Sequence, residues 1–140
     1  MSYKAFKGKW QAFGDKPIIS ILSTGFICLN KVCYDTYVKS SGYKYVKLYY
    51  NPEEKKIAFE FRSDRKGEFV LPVNLTKTGV LAVVHSKTFF NYFGIKYEGQ
   101  SRSFPVHETI IRASGPGYQG TRKPVKGIEI KLTEYFPSGT

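Results

Sequence analysis

A glycine-rich stretch at residues 112–127 holds the side chains best suited to bind an anion. It contains four cations and no carboxylate: Arg112, Arg122, Lys123 and Lys126. The glycines and prolines at its centre allow the backbone to approach a phosphate closely, and Tyr118 adds a ring that can stack on a base. The stretch lacks the Gly-Lys-Ser/Thr ending of a Walker loop. It predicts a long basic loop that grips a nucleic-acid backbone, the alternative being a solvated hairpin tip.

A second candidate binding segment is the N-terminal arm, residues 1–17. Cations alternate there with aromatic rings, and the residues that we single out are Lys4, Lys7, Lys9 and Trp10. Such an arm can follow phosphates with its lysines while its rings stack on bases. The same alternation also describes a half-buried edge strand whose lysines face solvent. Both interpretations stay open at this point.

The sequence offers little for metal binding or catalysis. Cys28 and Cys33 lie five residues apart and the histidines, His85 and His107, are isolated, so neither the spacing nor the number of ligands fits a zinc site. We expect two buried thiols and no cofactor. Most carboxylates lie in turns or beside lysines, so we expect no enzyme. A nuclease built from His107, Glu108 and the basic loop is the alternative.

Length and charge predict one basic domain. The 140 residues are 41% hydrophobic, enough for a single core over residues 18–136, and the net charge is +11. That charge is uneven: it is +3 over 1–17, +3 over 18–50, zero over 51–70 and +4 over 111–127. A defined anion-binding face is therefore expected. No apolar run is long enough for a membrane span, and the polar N-terminus predicts a cytoplasmic protein, or a nuclear one in a eukaryotic host, that is not secreted.

The pattern of apolar residues predicts a mainly β fold with a minor α component. Residues 18–61 read as a tight hairpin, a short helix capped by Asn30, and a second hairpin whose turn is Asn51–Lys55. Residues 75–132 repeat this order, because 77–84 resembles 23–29 and leads to an aromatic helix at 86–93.

The two pseudo-repeats are expected to share one barrel-like, pseudo-dimeric core with two short helices. In the second repeat, 102–107 and 128–132 are predicted to form the outer hairpin, with the long loop 112–127 between them.

Residues 25–59 resemble a known family. A strand beginning at Gly25, a short helix, and the hairpin strands Val46–Tyr50 and Ile57–Phe59 are similar to the AbrB/SpoVT swapped-hairpin DNA-binding domain. Asn30 stands where that family usually has Ile-Pro, and here two halves would be fused in one chain. The resemblance implies a pseudo-symmetric DNA-binding surface, for which Lys31, Lys44 and Lys47 are candidates.

The sequence as a whole favours a regulatory or architectural nucleic-acid-binding protein, with DNA ahead of RNA because of the resemblance. The alternative is a small viral or mobile-element module that docks on an acidic host protein through the same basic faces. A homodimer is compatible with either function.

Overall fold

A computed structural model describes residues 16–67, 69–76, 81–99, 101–111 and 124–136. The strands of these ranges are β1 (Ile18–Ile21), β2 (Phe26–Leu29), β3 (Tyr45–Asn51), β4 (Lys56–Arg62), β5 (Val70–Pro72), β6 (Asn74–Leu75), β7 (Ala82–His85), β8 (Arg102–Pro105), β9 (His107–Ile111) and β10 (Val125–Lys131). The helices are α1 (Lys31–Tyr37), α2 (Lys87–Phe93) and one 3₁₀ turn at Lys39–Ser41. The prediction of a mainly β protein with two short helices is confirmed for this part of the chain.

The strands form two antiparallel sheets. Sheet A has the order β6-β7-β2-β1-β8, and sheet B has the order β5-β3-β4-β10-β9. The chain passes from an edge of sheet B to an edge of sheet A at Val73, between β5 and β6. It returns at Val106, between β8 and β9, so edge strands of the two sheets are consecutive in the chain.

The core lies between the sheets because their central strands turn their apolar side chains to the same interior. Ile19, Ile27 and Leu29 come from sheet A, and Phe59 and Ile130 from sheet B; all five are fully buried. The helices add Cys33, Phe89 and Phe90 to the same cluster. Neither helix in the described ranges has the length and apolar character needed to cross a membrane.

Asn30 determines where the first hairpin ends and α1 begins. Its Oδ1 accepts hydrogen bonds from the backbone N–H of Cys33 at 2.9 Å and of Ile18 at 3.0 Å, while its Nδ2 donates to the carbonyl of Lys16 at 2.7 Å. The predicted helix cap is confirmed, and it also holds the start of β1. One side chain therefore joins a strand to the following helix.

Replacing Asn30 by Ala is expected to lower the free energy of unfolding by about 2 kcal/mol, because the helix loses its cap and the Ile18 amide loses its acceptor. Urea unfolding followed by circular dichroism measures the change. Asn30→Asp is the matched control, since it keeps an acceptor oxygen for both amides and replaces the Nδ2 donor to Lys16, and it should lose less than half as much. Equal losses in both variants would contradict this role for the Oδ1 acceptor.

The second half differs from its predicted pairing. The segment predicted as one strand, 102–107, bends at Val106, so β8 pairs with β1 in sheet A, whereas β9 pairs with β10 in sheet B. The hairpin partner of β10 is therefore 107–111, and the expected hairpin between 102–107 and 128–132 is wrong in this respect. The physical reason is that an edge strand long enough to reach both sheets gains hydrogen bonds in each.

Strands from the two halves of the chain pair at the centre of each sheet. β2 pairs with β7, and β4 pairs with β10, both antiparallel. β2 and α1 begin 56 positions before β7 and α2 respectively. The predicted resemblance of 77–84 to 23–29 implies a separation of 54 positions instead, and residues 77–80 lie outside the described ranges.

Candidate nucleic-acid interface

One end of sheet B gathers the ends of four neighbouring strands. Tyr45 pairs with both Pro72 and Arg62, which places the start of β3 beside the end of β4. β10 pairs with β4 through Phe59 and Ile128, and three residues further along each strand Arg62 reaches the level of Val125. Residues distant in sequence therefore meet at this end.

The cations at this end come from three separate segments. We call the set the basic end: Lys39, Lys44, Arg62, Arg65, Lys66 and Lys126. All but Arg62 are exposed. Among the described residues it includes one carboxylate, Asp64, whose Oδ1 lies 3.0 Å from Arg62 Nη2. The hydrogen bond from the Lys66 backbone N–H, and then the charge of Arg62, hold the pKa of Asp64 below its usual range. The Asp64 carboxylate therefore links Arg62 to the backbone of Lys66 in the connection after β4, while the surrounding cations face solvent.

The opposite end of sheet B has a different balance. Its described charged residues are Lys55, Lys56, Lys131, Glu53, Glu54, Glu129 and Glu134. Lys56 Nζ lies 3.3 Å from carboxylates of both Glu54 and Glu129. These partners raise the pKa of Lys56, first through the hydrogen bond to Glu54. Sheet B is therefore electrically asymmetric along its strands, and only one end presents a net positive potential to a polyanion.

Acidic groups near the middle of sheet B are engaged by tyrosines. The Tyr49 hydroxyl donates to Glu60 at 2.5 Å, and the Tyr37 hydroxyl donates to Glu108 at 3.0 Å. Burial, and then the bond to Glu108, raise the pKa of Tyr37 to about 12. Its proton stays in place at neutral pH, so the bond tying α1 to β9 persists there.

The structure brings together only some of the predicted contacts. Lys44 and Lys126 both lie at the basic end and are exposed. Lys31 lies in the first turn of α1, at the opposite end of that helix from Lys39, and its Nζ is 2.8 Å from Asp35. The remaining predicted residues lie outside the described ranges: Lys4, Lys7, Lys9, Trp10, Arg112, Tyr118, Arg122 and Lys123.

Lys47 does not belong to the candidate interface. It projects from the outer face of β3. The connection between β4 and β5 folds back over that face, and Lys47 is only 5% exposed. Val70 is its partner on β5, and a Cβ added at Gly67 would lie 3.3 Å from Lys47 Nζ. The ammonium lies 5.4 Å from the centre of the Tyr49 ring. Burial beneath the loop therefore removes it from contact with a phosphate.

The long loop predicted at 112–127 is wrong at its C-terminal end, and residues 112–123 lie outside the described ranges. Val125, Lys126 and Gly127 belong to β10, where they pair with Ile111, Ile110 and Thr109 of β9. The described residues that flank the intervening stretch, Ile111 and Pro124, stand at the level of the basic end. The described part of the chain therefore breaks off and resumes at the end of the sheet that carries Lys44 and Arg65.

The two β9 residues of the nuclease alternative do not face one another, and most of the basic loop that would complete it lies outside the described ranges. His107 and Glu108 are consecutive strand residues, so their side chains leave opposite faces. His107 Nε2 lies 2.6 Å from Glu134 Oε1, whereas Glu108 accepts from Tyr37. Within the described ranges, no three His, Cys, Asp or Glu side chains are grouped so as to hold a metal ion.

Both cysteines are free and buried. Cys33 lies in the core, where burial raises its pKa to about 12. Cys28 projects from the opposite face of β2 to Ile27 and Leu29, and burial raises its pKa as well. Neither thiol has the lowered pKa of a nucleophile.

A cavity of about 340 Å³ opens far from the basic end. Ile21, Phe104 and Leu132 line its apolar side, and Arg102 lies at its margin. The Arg102 guanidinium stands 4.4 Å from the centre of the Tyr135 ring. Leu132 follows the end of β10 opposite to Lys126, so this cavity is separate from the basic end.

No protein-family model, curated protein or solved structure matches the chain.

Sequence reasoning missed Lys39, Arg62, Arg65 and Lys66. Counted along the chain, residues 51–70 are neutral. This sum hides the separation in space between the cations Arg62, Arg65 and Lys66 and the glutamates of the same stretch. The hairpin carries Glu53 and Glu54 to one end of sheet B and the arginines to the other. A charge count made separately for each predicted strand end would have found the cluster.

Proposed function

We propose that the protein binds nucleic acid through the basic end of sheet B. The observation that carries this proposal is the charge asymmetry of that sheet. Among the described residues, six cations from three segments stand at one end with one carboxylate, and that carboxylate is occupied by Arg62 and the Lys66 amide. Arginine and lysine at such a surface contact phosphate oxygens without reading base identity.

The resemblance to the swapped-hairpin family supports DNA over RNA. A fused, pseudo-symmetric pair of strand-helix-hairpin units would form one barrel-like core, and the equivalent placement of β2 with β7 and of β4 with β10 agrees with that arrangement. On this proposal the protein acts as a regulator or an architectural protein. Arg112, Arg122 and Lys123, which lie outside the described ranges, would add further phosphate contacts.

The proposal is tested by binding titrations against duplex DNA, single-stranded DNA, RNA and heparin at several salt concentrations. If the six cations of the basic end each neutralise one phosphate, the plot of log K against log salt for duplex DNA should have a slope of about −5. Fluorescence anisotropy with labelled oligonucleotides measures it. Binding that is absent at 50 mM salt, or insensitive to salt, would refute the proposal.

The competing function is docking on an acidic protein. Such a partner would be recovered by the immobilised protein after nuclease digestion of the extract, and its binding would be lost on the same charge reversals. If the protein binds no oligonucleotide but retains one acidic protein after digestion, the competing function replaces the one proposed.

A further inference from the structure

Four aromatic side chains form a continuous surface cluster, which we call the aromatic patch: Tyr50, Phe69, Tyr92 and Phe93. Tyr92 and Phe93 have ring centres 4.9 Å apart, Phe69 lies 5.3 Å from Tyr92, and Tyr50 lies 5.3 Å from Phe93. Phe89 is buried beneath them, 5.4 Å from Phe69 and 5.0 Å from Phe93. The rings are therefore held by one another and by the core.

The position of Tyr92 is not explained by core packing. Phe89 and Phe93 occupy successive turns of α2 and face inwards, whereas Tyr92 leaves the helix beside that face and is 72% exposed. Phe93 itself is 37% exposed. A large ring that is positioned by neighbouring rings but left in solvent is already ordered for a flat partner, which reduces the entropy lost on binding.

Phe69 adds backbone strain to the patch. Its φ is +56°, in the left-handed region that favours glycine. A non-glycine residue in this region costs roughly 1–2 kcal/mol, and here the contacts of its ring with α2 offset that cost. Its carbonyl accepts a hydrogen bond from Leu48 at 3.1 Å, which fixes the ring against the edge of β3.

The patch adjoins the basic end through this same connection. Phe69 follows Lys66 by three residues, a span of at most about 10 Å. β3 begins next to Lys44 and runs six residues on to the half-buried Tyr50, so this side of sheet B leads from the exposed cations to the aromatic patch. A strand whose phosphates contact Lys44, Arg65 and Lys66 would bring its next bases to the patch.

We propose that the aromatic patch stacks on unpaired bases and that the protein prefers single-stranded nucleic acid. This inference rests on the function proposed above. Duplex bases are stacked on one another and cannot offer their faces to Tyr92, whereas unpaired bases can. Stacking on an aromatic side chain contributes about 1–3 kcal/mol per base and tolerates any sequence.

The test compares three ligands with equal numbers of phosphates: a 20-nucleotide single strand, an abasic strand, and a 10-base-pair duplex of the same composition. The unmodified protein should bind the base-bearing strand about tenfold more tightly than the abasic one. Tyr92→Leu should remove about that factor for the base-bearing strand only, leaving the abasic and duplex affinities and the salt slope unchanged. Tyr92→Phe keeps the ring and is the matched control, so it should bind as the unmodified protein does.

The outcomes separate the two proposals. If no ligand binds at 50 mM salt, the proposed function fails and the inference falls with it. If all three ligands bind and Tyr92→Leu changes none of the three affinities, the proposed function of the basic end is retained and the stacking role is overturned. If Tyr92→Leu alters only the oligomeric state in sedimentation, the patch contacts a second protein chain and the stacking role is likewise overturned.

Discussion

A triple variant carrying Lys44→Glu, Arg65→Glu and Lys126→Glu should bind nucleic acid on the order of a hundredfold or more weakly than the unmodified protein at 0.1 M salt. Each residue is exposed at the basic end and comes from a different segment of the chain. Three phosphate contacts are lost, and the new carboxylates repel the backbone. The salt slope for duplex DNA should also become shallower by about 3, because each lost contact releases one counterion fewer. Anisotropy titrations give both quantities.

The matched control reverses three exposed lysines elsewhere: Lys55, Lys87 and Lys96. It changes the net charge by the same amount, so it separates a defined site from general attraction. Its salt slope should remain close to that of the unmodified protein, and its affinity should fall by less than about tenfold through the weakened long-range field. Equal losses in the two triple variants would show that no local site exists at the basic end.

Replacing Gly127 by Ala should lower the free energy of unfolding by about 3 kcal/mol. Gly127 lies within β10 between β4 and β9, and a Cβ there would come within 2.5 Å of both the Phe59 carbonyl oxygen and Ile111 Cδ1. The isoleucine can rotate, but the carbonyl belongs to the neighbouring strand, so the strands must separate. A protein of this size should show a fall in Tm of about 10 °C by differential scanning calorimetry.

Gly42→Ala is the control for this substitution. Gly42 has φ +71° and no atom within 4 Å of its added Cβ, so the variant measures backbone strain without a collision. We expect a loss of about 1 kcal/mol there. If Gly127→Ala costs no more than Gly42→Ala, sheet B accommodates the methyl group, and the close approach of the strands at Gly127 is not required for stability.

The first half of the fold was predictable because its determinants are local. Asn30 caps the helix that follows it, and Asn51 accepts from the backbone amides of Glu53 and Glu54 in the turn of the hairpin. Both signals act over two or three residues. In the second half, the bend at Val106 depends on which strands offer a free edge. Those strands, β1 and β10, are formed by other parts of the chain.

The candidate site was harder to predict for the same reason. Lys47 alternates correctly with Val46 and Leu48, yet its exposure is decided by a loop that folds back across the strand. Arg62 and Lys126 are remote in sequence and reach the same end of sheet B only through the pairing of β4 with β10. Charge counts along the chain do not reveal the burial of Lys47 or the convergence of β4 and β10, because both arise from tertiary contacts.

The pairing of β2 with β7 and of β4 with β10 also affects how the chain reaches its native state. These central pairs join residues that are more than 50 positions apart. Large loops must therefore close before the central strands of either sheet can pair. Each half can form its hairpins early but cannot complete a sheet alone. Folding on the millisecond-to-second scale typical of domains with non-local strand pairing follows, as does transient exposure of unpaired strand edges.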